Sequence, residues 1–364
     1  MRAGYFVNQI QQTGRMKSVV SRVLLAGFGV FMALLCAEVT LRLAARVQKA
    51  PAFQHDRSAV FFDIQPGRDH PWSASSDNPL RIAVVGDSFA KGVGVQLDDR
   101  YAARLERLLN CNDGVRPAEV RVFDLAGTST FQQFPLLKQA LDWKADIVIL
   151  GLCLNDAEDW ARPQRVKEWR RETMPPPPPK WLAPVLRHSR VLTWIHMKCG
   201  QVSARRGYHH YYRRLYKPDY KGFRRLRESL GMFKEQCDAA GVRLVVMIFP
   251  LLADDFSPGR YPFENIHITI RGLLEEKQTD CLDLLGSFQG MMPVRMQAIP
   301  DIDPHPSEIA HRIAAEALLN HLLDRGVVDA AYRPQARVSE KDLPMRWNRT
   351  AQRMQNPSAE DETK

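Results

Sequence analysis

Short apolar runs rich in β-branched residues recur along the chain, and turn-forming residues follow them. Gly86 comes after the first run and Pro250 after the fourth. Near-continuous apolar runs of this length are typical of strands buried on both faces of a parallel sheet. The pattern predicts five strands, at Arg81–Val85, Val120–Leu125, Asp146–Leu152, Val242–Phe249 and Asp280–Leu285.

Between these runs, apolar residues recur at helical spacing. Helices are predicted over Tyr101–Leu109, Phe131–Trp143, Gly222–Ala240 and Ser307–Leu323. Alternating strands and helices form right-handed βαβ units. The sequence therefore predicts an α/β fold, a three-layer α/β/α sandwich around a central five-stranded parallel sheet. In such folds ligands bind beyond the carboxyl ends of the strands.

The amino-terminal region combines positive charge with an apolar segment. Residues 1–22 contain basic residues and no acidic ones, and Val23–Ala37 is apolar without a break. Extended to residue 45, the segment reaches the length of about 20 residues that a bilayer requires. Within it, Glu38 and Arg42 are four residues apart and can pair on one helix face. We predict one transmembrane helix before the folded domain.

No small-x-small cleavage site follows the apolar run, which favours an uncleaved anchor over a cleaved signal peptide or a buried helix. We expect a single-pass membrane protein with its N-terminus inside and its body on the exported side, periplasmic or extracellular. The predicted organisation is a basic cytoplasmic tail at 1–22, an anchor at 23–45, a linker at 46–79, a folded domain at 80–325 and a polar, disordered tail at 326–364.

The net charge of +10 is concentrated in one segment of the folded domain. Residues 157–227 contain 18 Lys and Arg against 5 Asp and Glu. This basic insertion lies between the third and fourth predicted strands, where connections are usually far shorter. Its charge favours an anionic partner, and the alternative is a solvated charged face. Nucleic acid is not expected for an exported protein. The candidate substrate-binding residues are Arg213, Arg214, Arg224 and Arg225.

Residues with catalytic chemistry follow three of the predicted strands. Ser88 comes after Gly86 at the first strand-to-helix turn, where a helix N-terminus stabilises developing negative charge. Gly127 follows the second strand, and a glycine there lets a backbone N–H approach a reacting carbonyl. Asn155 follows the third strand, where its amide can donate to an oxyanion. Each of these residues alone is more often an ordinary turn residue or helix cap.

A further loop, which two prolines stiffen, precedes the last predicted helix. His305 lies in this loop and can reach Ser88 if the loop folds over the same end of the sheet. Asp303 or Asp301 is then close enough to fix the tautomer of the imidazole.

Taken in chain order, these residues resemble the four conserved blocks of the GDSL-type, or SGNH, hydrolase superfamily. The resemblance covers Arg81–Leu323, with a poor match over the basic insertion. The matching segments are Gly86-Asp87-Ser88 for the nucleophile block, Gly127 for the glycine block, Gly151 with Asn155-Asp156 for the Gly-x-Asn-Asp block, with additional spacing, and Asp303-x-His305 for the Asp/His block.

This sequence departs from the family pattern at two positions. The family usually has Asp-x-x-His, whereas here Asp303 stands two residues before His305 and Asp301 four. We expect Asp303 to be the partner of the histidine. Phe89 also replaces the leucine that usually follows the serine, at a position expected to serve packing.

The resemblance implies a flavodoxin-like SGNH hydrolase fold and acyl transfer that needs no metal or other cofactor. By the same resemblance, Ser88 is the nucleophile, His305 the general base and Asp303 the acid that orients it. The N–H groups of Ser88 and Gly127 and the side-chain amide of Asn155 form the oxyanion hole.

Anchor and resemblance together predict a serine-dependent esterase. Its expected substrates are acyl, in particular acetyl, esters of an envelope or exported polysaccharide. Two alternatives remain open: an O-acyltransferase that moves acetyl between sugar hydroxyls, and an inert glycan-binding assembly protein. The expected partners are an acylated glycan or other ester substrate and the membrane, with polysaccharide-assembly proteins as further candidates. Cys237 and Cys281 are the first pair to consider for a disulfide, although pairing cannot be deduced from sequence.

Overall fold

The computed structural model describes residues 22, 24–44, 78–112, 114–159, 162–175, 177–299 and 303–334. These residues form two compact units. The helical unit contains the described residues of 1–54 together with 173–206, and the sheet unit contains the remainder. The predicted cytoplasmic tail and linker lie almost entirely outside the described residues, and the predicted domain limits stay predictions, except for the start of the carboxy-terminal tail.

All five predicted strands form, and they make one parallel sheet in the order β2-β1-β3-β4-β5. The central strands are buried on both faces, as their continuous apolar sequences predict, whereas β2 at the edge alternates buried and half-buried residues. The strands are β1 Leu80–Gly86, β2 Ala118–Asp124, β3 Ile147–Cys153, β4 Arg243–Phe249 and β5 Asp280–Asp283.

Helices cover this sheet. The four helices that the sequence predicts are confirmed within a few residues as α3, α4, α8 and α11. Packing pairs α3 with α11 and α4 with α8. The helices are α1 Leu24–Ala44, α2 Ser88–Lys91, α3 Tyr101–Leu109, α4 Phe134–Asp142, α5 Arg162–Thr173, α6 Leu182–His188, α7 Arg190–Leu215, α8 Lys221–Ala239, α9 Glu264–Glu276, α10 Pro293–Met296 and α11 Glu308–Asp324.

Short 3-10 turns complete the connections. Two of them follow β2 and β3, and we call them the Thr130 turn (Thr130–Gln133) and the Asn155 turn (Leu154–Ala157). The others are Leu97–Asp99, Gly286–Phe288 and Ala330–Tyr332.

A small antiparallel hairpin that the sequence pattern did not predict precedes α11. Its strands are β6 Gln297–Ile299 and β7 Asp303–Pro306. Ser307 then caps α11, because its hydroxyl accepts a hydrogen bond from the N–H of Ala310 at 3.3 Å. The hairpin and the cap together fix where β7 enters the fold.

Two expectations need correction. The predicted disordered tail begins too early, because the fold continues to Tyr332. That ring is buried, and its hydroxyl donates to the carbonyl of Arg116 at 2.8 Å. Residues 335–364 of the predicted tail lie outside the described residues. The six cysteines are all described, and each is a free thiol, so the suggested Cys237–Cys281 disulfide is absent.

Candidate active site

Ser88 is the first residue of α2, directly after β1. The turn is tight, since a Cβ on Gly86 would come within 2.7 Å of the Ala90 side chain. Asp87 caps the short helix by accepting from the N–H of Phe89 at 2.9 Å. The hydroxyl of Ser88 lies 3.5 Å from the other oxygen of the same carboxylate. The carboxyl end of β1 therefore presents the serine, as the sequence predicts.

The register of the sheet aligns the strand ends around this serine. Gly86 pairs with Asp124 on β2 and with Gly151 on β3. The loops that carry Gly127 and Asn155 therefore leave the sheet at the same end as Ser88, the carboxyl end of the strands. Parallel strands produce this arrangement because all of their carboxyl ends point the same way.

Asn155 connects directly to the turn that carries Ser88. Its side-chain nitrogen donates to Oδ2 of Asp87 at 3.0 Å. An asparagine amide has two N–H groups, so the second remains for a ligand. The side chain is buried, and burial strengthens a hydrogen bond to a developing negative charge.

Asp156 holds the two neighbouring turns together. Its Oδ2 accepts from the N–H of Cys153 at 2.7 Å, at the end of β3. Its Oδ1 accepts from the hydroxyl of Thr130 at 2.9 Å and from the amide of Gln133 at 3.1 Å. The Thr130 turn follows Gly127, so this buried carboxylate positions the glycine loop against the Asn155 turn.

Gly127 adopts a left-handed conformation, with φ of 73°. A residue with a Cβ would be strained in this conformation. The turn also sets the direction of the backbone N–H of Gly127. Two residues earlier, the N–H of Leu125 still donates to the carbonyl of Gly86 at 3.1 Å. The loop that carries Gly127 therefore begins beside the last residue of β1.

His305 and Asp303 form a close pair at β7. The Nδ1 atom of His305 lies 2.5 Å from Oδ1 of Asp303, and the same oxygen accepts from the backbone N–H of His305 at 3.0 Å. Nδ1 therefore carries a hydrogen, which leaves Nε2 as the basic nitrogen. Burial acts to raise the pKa of Asp303, but its hydrogen bonds with His305 and the charge of that residue outweigh burial, and the pKa lies below its usual 3.8.

Phe89 brings this pair to the serine helix. Its ring centroid lies 5.6 Å from that of His305 and 5.5 Å from that of Phe249, at the end of β4. The position that the sequence identifies as packing thus packs the residue next to Ser88 against the imidazole. A serine beside a histidine whose other nitrogen bonds a buried carboxylate can act as a nucleophile.

Two arginines of the basic insertion make ion pairs in the sheet unit. Arg214 lies 2.9 Å from the carboxylate of Glu172. Arg225 pairs with Asp159, and its guanidinium lies 4.9 Å from the ring centroid of Phe131 in the Thr130 turn. Arg225 is therefore close to the loop that follows Gly127.

The other two candidate arginines bond backbone carbonyls instead. Arg213 donates to Pro262 at 3.1 Å, and Arg224 donates to Asp219 at 2.7 Å. These contacts leave their role in substrate binding as a prediction.

Sequence reasoning assigned no role to Gly222. A Cβ there would overlap the carbonyl oxygen of Ala157, so the start of α8 packs at backbone distance against the Asn155 turn. Asp87 and Asp156 had no individual role in the sequence prediction, although each belongs to one of the recognisable blocks.

Asp301, the alternative triad acid, lies outside the described residues. No group of three or more His, Cys, Asp or Glu in the described part of the chain could hold a metal ion.

A model of the GDSL-like lipase/acylhydrolase family matches residues 84–313. Among solved structures, the chain is similar to the acetyl xylan esterase AlAXEase, with 12% identity over 67% of this chain and 100% of that one and a TM-score of 0.42. A catalytic variant of the acetylxylan esterase Axe2 from Geobacillus stearothermophilus has 15% identity over 66% and 93%, with a TM-score of 0.41. An α/β hydrolase from the metagenome of Lake Arreo has 14% identity over 66% and 94%, also with a TM-score of 0.41. No similar sequence was found among curated proteins.

Proposed function

Because the chain belongs to the GDSL-like lipase/acylhydrolase family, we propose that it removes acyl groups, acetyl in particular, from an envelope or exported polysaccharide. Family membership makes the protein an ester-hydrolysing enzyme; its substrate and the roles of individual residues are the proposal. The observation that supports these roles is the pairing of His305 with buried Asp303 next to the helix that begins with Ser88.

In the first half of the reaction, Nε2 of His305 takes the proton of the Ser88 hydroxyl while Oγ attacks the ester carbonyl carbon. The carbonyl oxygen becomes an oxyanion, which the N–H groups of Ser88 and Gly127 and the Asn155 amide bind. Collapse of this intermediate breaks the bond to the sugar oxygen. That oxygen receives the proton from His305 and leaves as a hydroxyl group.

In the second half, water attacks the acyl-serine. His305 takes a proton from the water and then returns it to Oγ of Ser88, which releases the carboxylic acid. Asp303 remains ionised throughout and stabilises the imidazolium that forms in each half. A sugar hydroxyl in the place of water would make the same machinery an O-acyltransferase.

The decisive experiment compares the full-length protein with Ser88→Ala on p-nitrophenyl acetate, with and without an acceptor oligosaccharide. The variant should lose activity by orders of magnitude and keep its thermal unfolding midpoint, because the turn tolerates a small side chain. Ser203→Ala, at an exposed serine, is the matched control. More than a few per cent of residual activity in Ser88→Ala would refute the nucleophile assignment.

The reaction with the acceptor oligosaccharide shows whether water or a sugar hydroxyl accepts the acyl group. Release of free acetate, unchanged by the oligosaccharide, supports hydrolysis. Acetylated oligosaccharide detected by mass spectrometry, formed at the expense of free acetate, would favour the acyltransferase. If the wild-type protein does not turn over p-nitrophenyl acetate, with or without the oligosaccharide, the inert glycan-binding alternative would be favoured.

Anchoring by α1 is part of the proposal. This helix is 21 residues long, near the N-terminus, and long and apolar enough to cross a membrane, a property that signal sequences share. Its length corresponds to about 30 Å, the thickness of a hydrocarbon core. The exported body would then meet extracytoplasmic polysaccharide.

A further inference from the structure

Glu38 of α1 caps another helix of the helical unit. Its carboxylate accepts hydrogen bonds from the backbone N–H groups of Arg190 and Val191, both at 2.9 Å, and from the hydroxyl of Ser189 at 3.0 Å. Arg190 and Val191 are the first residues of α7, where backbone N–H groups lack partners within the helix, and Ser189 immediately precedes it. A negative charge there also complements the helix dipole.

Arg42 extends this connection to α6. It pairs with Glu38 at 2.7 Å, as the spacing in the sequence predicts, and its Nη2 donates to the carbonyl of His188 at 2.8 Å. His188 is the last residue of α6. The charged pair near the carboxyl end of α1 therefore holds both α6 and α7, which a simple membrane anchor does not require.

Large apolar side chains are exposed on these two helices. Trp181, which immediately precedes α6, is 73% exposed, and Trp194 on α7 is 52% exposed. Proteins in water rarely expose so many large apolar side chains on two successive helices. The exposed residues are Trp181, Val185, Leu192, Trp194, Ile195, Met197 and Val202.

The outward side of α7 also contains basic residues. Lys198 and Arg205 are exposed and recur at helical spacing with Ile195 and Val202. Tryptophan, aliphatic and basic side chains together are typical of helices that lie in the membrane interface. The long basic side chains can extend to the headgroups while their neighbours contact acyl chains.

We propose that the exposed surface of α6 and α7 is a second membrane contact, embedded in the interface of the bilayer that α1 crosses. The occupant is lipid, because the surface adjoins the carboxyl end of α1, whose apolar side chains are themselves exposed along its length. The inference rests on the proposed anchoring by α1. It makes the middle of the basic insertion a membrane-binding element.

Quenching by spin-labelled lipid tests this contact. The full-length protein is reconstituted in phosphatidylcholine–phosphatidylglycerol vesicles with or without doxyl lipid. The doxyl group lies near the headgroup in one set of vesicles and in the middle of the acyl chain in another, so that both the interface and the bilayer core are tested. An environment-sensitive fluorophore is attached to a cysteine introduced as Ile195→Cys or Phe31→Cys, after the exposed Cys36, Cys111 and Cys199 and the partly exposed Cys281 are replaced by alanine. Cys153 and Cys237 are kept because both are buried. A label at Gln139, an exposed residue of α4, is the control, and esterase activity confirms the fold of each labelled protein.

The doxyl lipid should reduce fluorescence from position 195 about two-fold, while position 139 should change little. Glu38→Gln should weaken quenching at 195 and leave quenching at 31 unchanged, because it removes the charged cap of α7 and the ion pair with Arg42 but keeps the apolar length of α1. Quenching at 31 without quenching at 195 would overturn this inference and leave the anchor intact; a protein partner covering the surface would give this result. Absence of quenching at 31 would refute the anchor of the proposed function itself.

Discussion

At the scale of single residues, buried carboxylates hold the site together. Asp87 bonds Asn155, Asp303 bonds His305, and Asp156 bonds the Thr130 turn. Each carboxylate accepts more than one hydrogen bond, which offsets the cost of burying its charge. The reactive groups are thereby held in place before substrate binds, and oxyanion stabilisation depends on such preorganisation.

The two candidate acids of the triad give different expectations. Asp303→Asn should lower kcat by orders of magnitude, because an amide does not hold His305 in the tautomer that leaves Nε2 basic. Asp301→Asn should have little effect. Steady-state kinetics on p-nitrophenyl acetate measure both, with circular dichroism as the check on folding. A larger loss in Asp301→Asn would transfer the role to that residue.

His311 should make stability depend on pH. Burial, followed by the positive charges of Arg104 and Arg100, lowers its pKa from 6.5 to about 3. The unfolded chain therefore binds a proton below pH 6.5 that the folded protein does not bind until about pH 3. Stability from this group is complete above pH 6.5 and falls as the pH drops towards 3, by up to about 1.4 kcal/mol per pH unit.

The measurement is the free energy of urea unfolding in detergent at pH 7 and pH 5, for the wild type and His311→Gln. The variant should lose less stability between the two pH values, whatever its stability at pH 7. Equal pH dependence in the two proteins would show that His311 does not contribute.

At the scale of elements, close packing of α8 against the Asn155 turn sets the position of the asparagine. Gly222 permits this approach at the start of the helix, where any side chain would displace the carbonyl of Ala157. Helix α8 therefore positions the Asn155 turn through contact between the two backbones. The residue types alone do not reveal such a contact.

Gly222→Ala should consequently move the Asn155 turn and lower kcat, by about ten-fold or more if the oxyanion amide loses its alignment. Gly231→Ala on the same helix is the matched control, because a Cβ there meets the end of the flexible Lys277 side chain at 3.1 Å. The control should retain its activity. Equal kinetics in the two variants would show that the turn adapts without loss of function.

At the scale of the whole molecule, the basic insertion gives the protein an uneven charge. A polyanionic substrate should be attracted by it, and salt weakens such attraction, since the screening length falls from about 10 Å at 0.1 M to about 3 Å at 1 M. Activity on an anionic polysaccharide should therefore fall with salt, while activity on a neutral ester should change little.

Substitution of arginines separates binding from folding. Arg213 and Arg224 donate to backbone carbonyls, which do not neutralise their positive charge. Joint replacement of these two arginines by Gln should therefore give, at low salt, the low activity on the anionic polysaccharide that the wild type shows at high salt. Arg214→Gln should instead lower the unfolding midpoint, because it breaks the ion pair with Glu172. The same salt dependence on both substrates would identify the segment as a solvated face.

The sequence by itself determined the strands, the main helices that cover the sheet and the order of the site blocks. These depend on local patterns: apolar runs, helical periodicity, and glycine or polar residues where strands end. Helices α5, α6 and α7 were not predicted, because apolar and basic residues are mixed around them without one continuous apolar face. The hairpin of β6 and β7 was hidden by its prolines and short strands.

Only the tertiary structure decided which distant groups meet. Asp87 bonds Asn155 across 68 positions, and Glu38 caps α7 across about 150. Such partners are chosen by the register of the sheet and by the packing of helices, because a hydrogen bond depends on the final positions of two atoms. Local sequence carries the capacity for these bonds, and the folded chain selects among the partners that each group could have had.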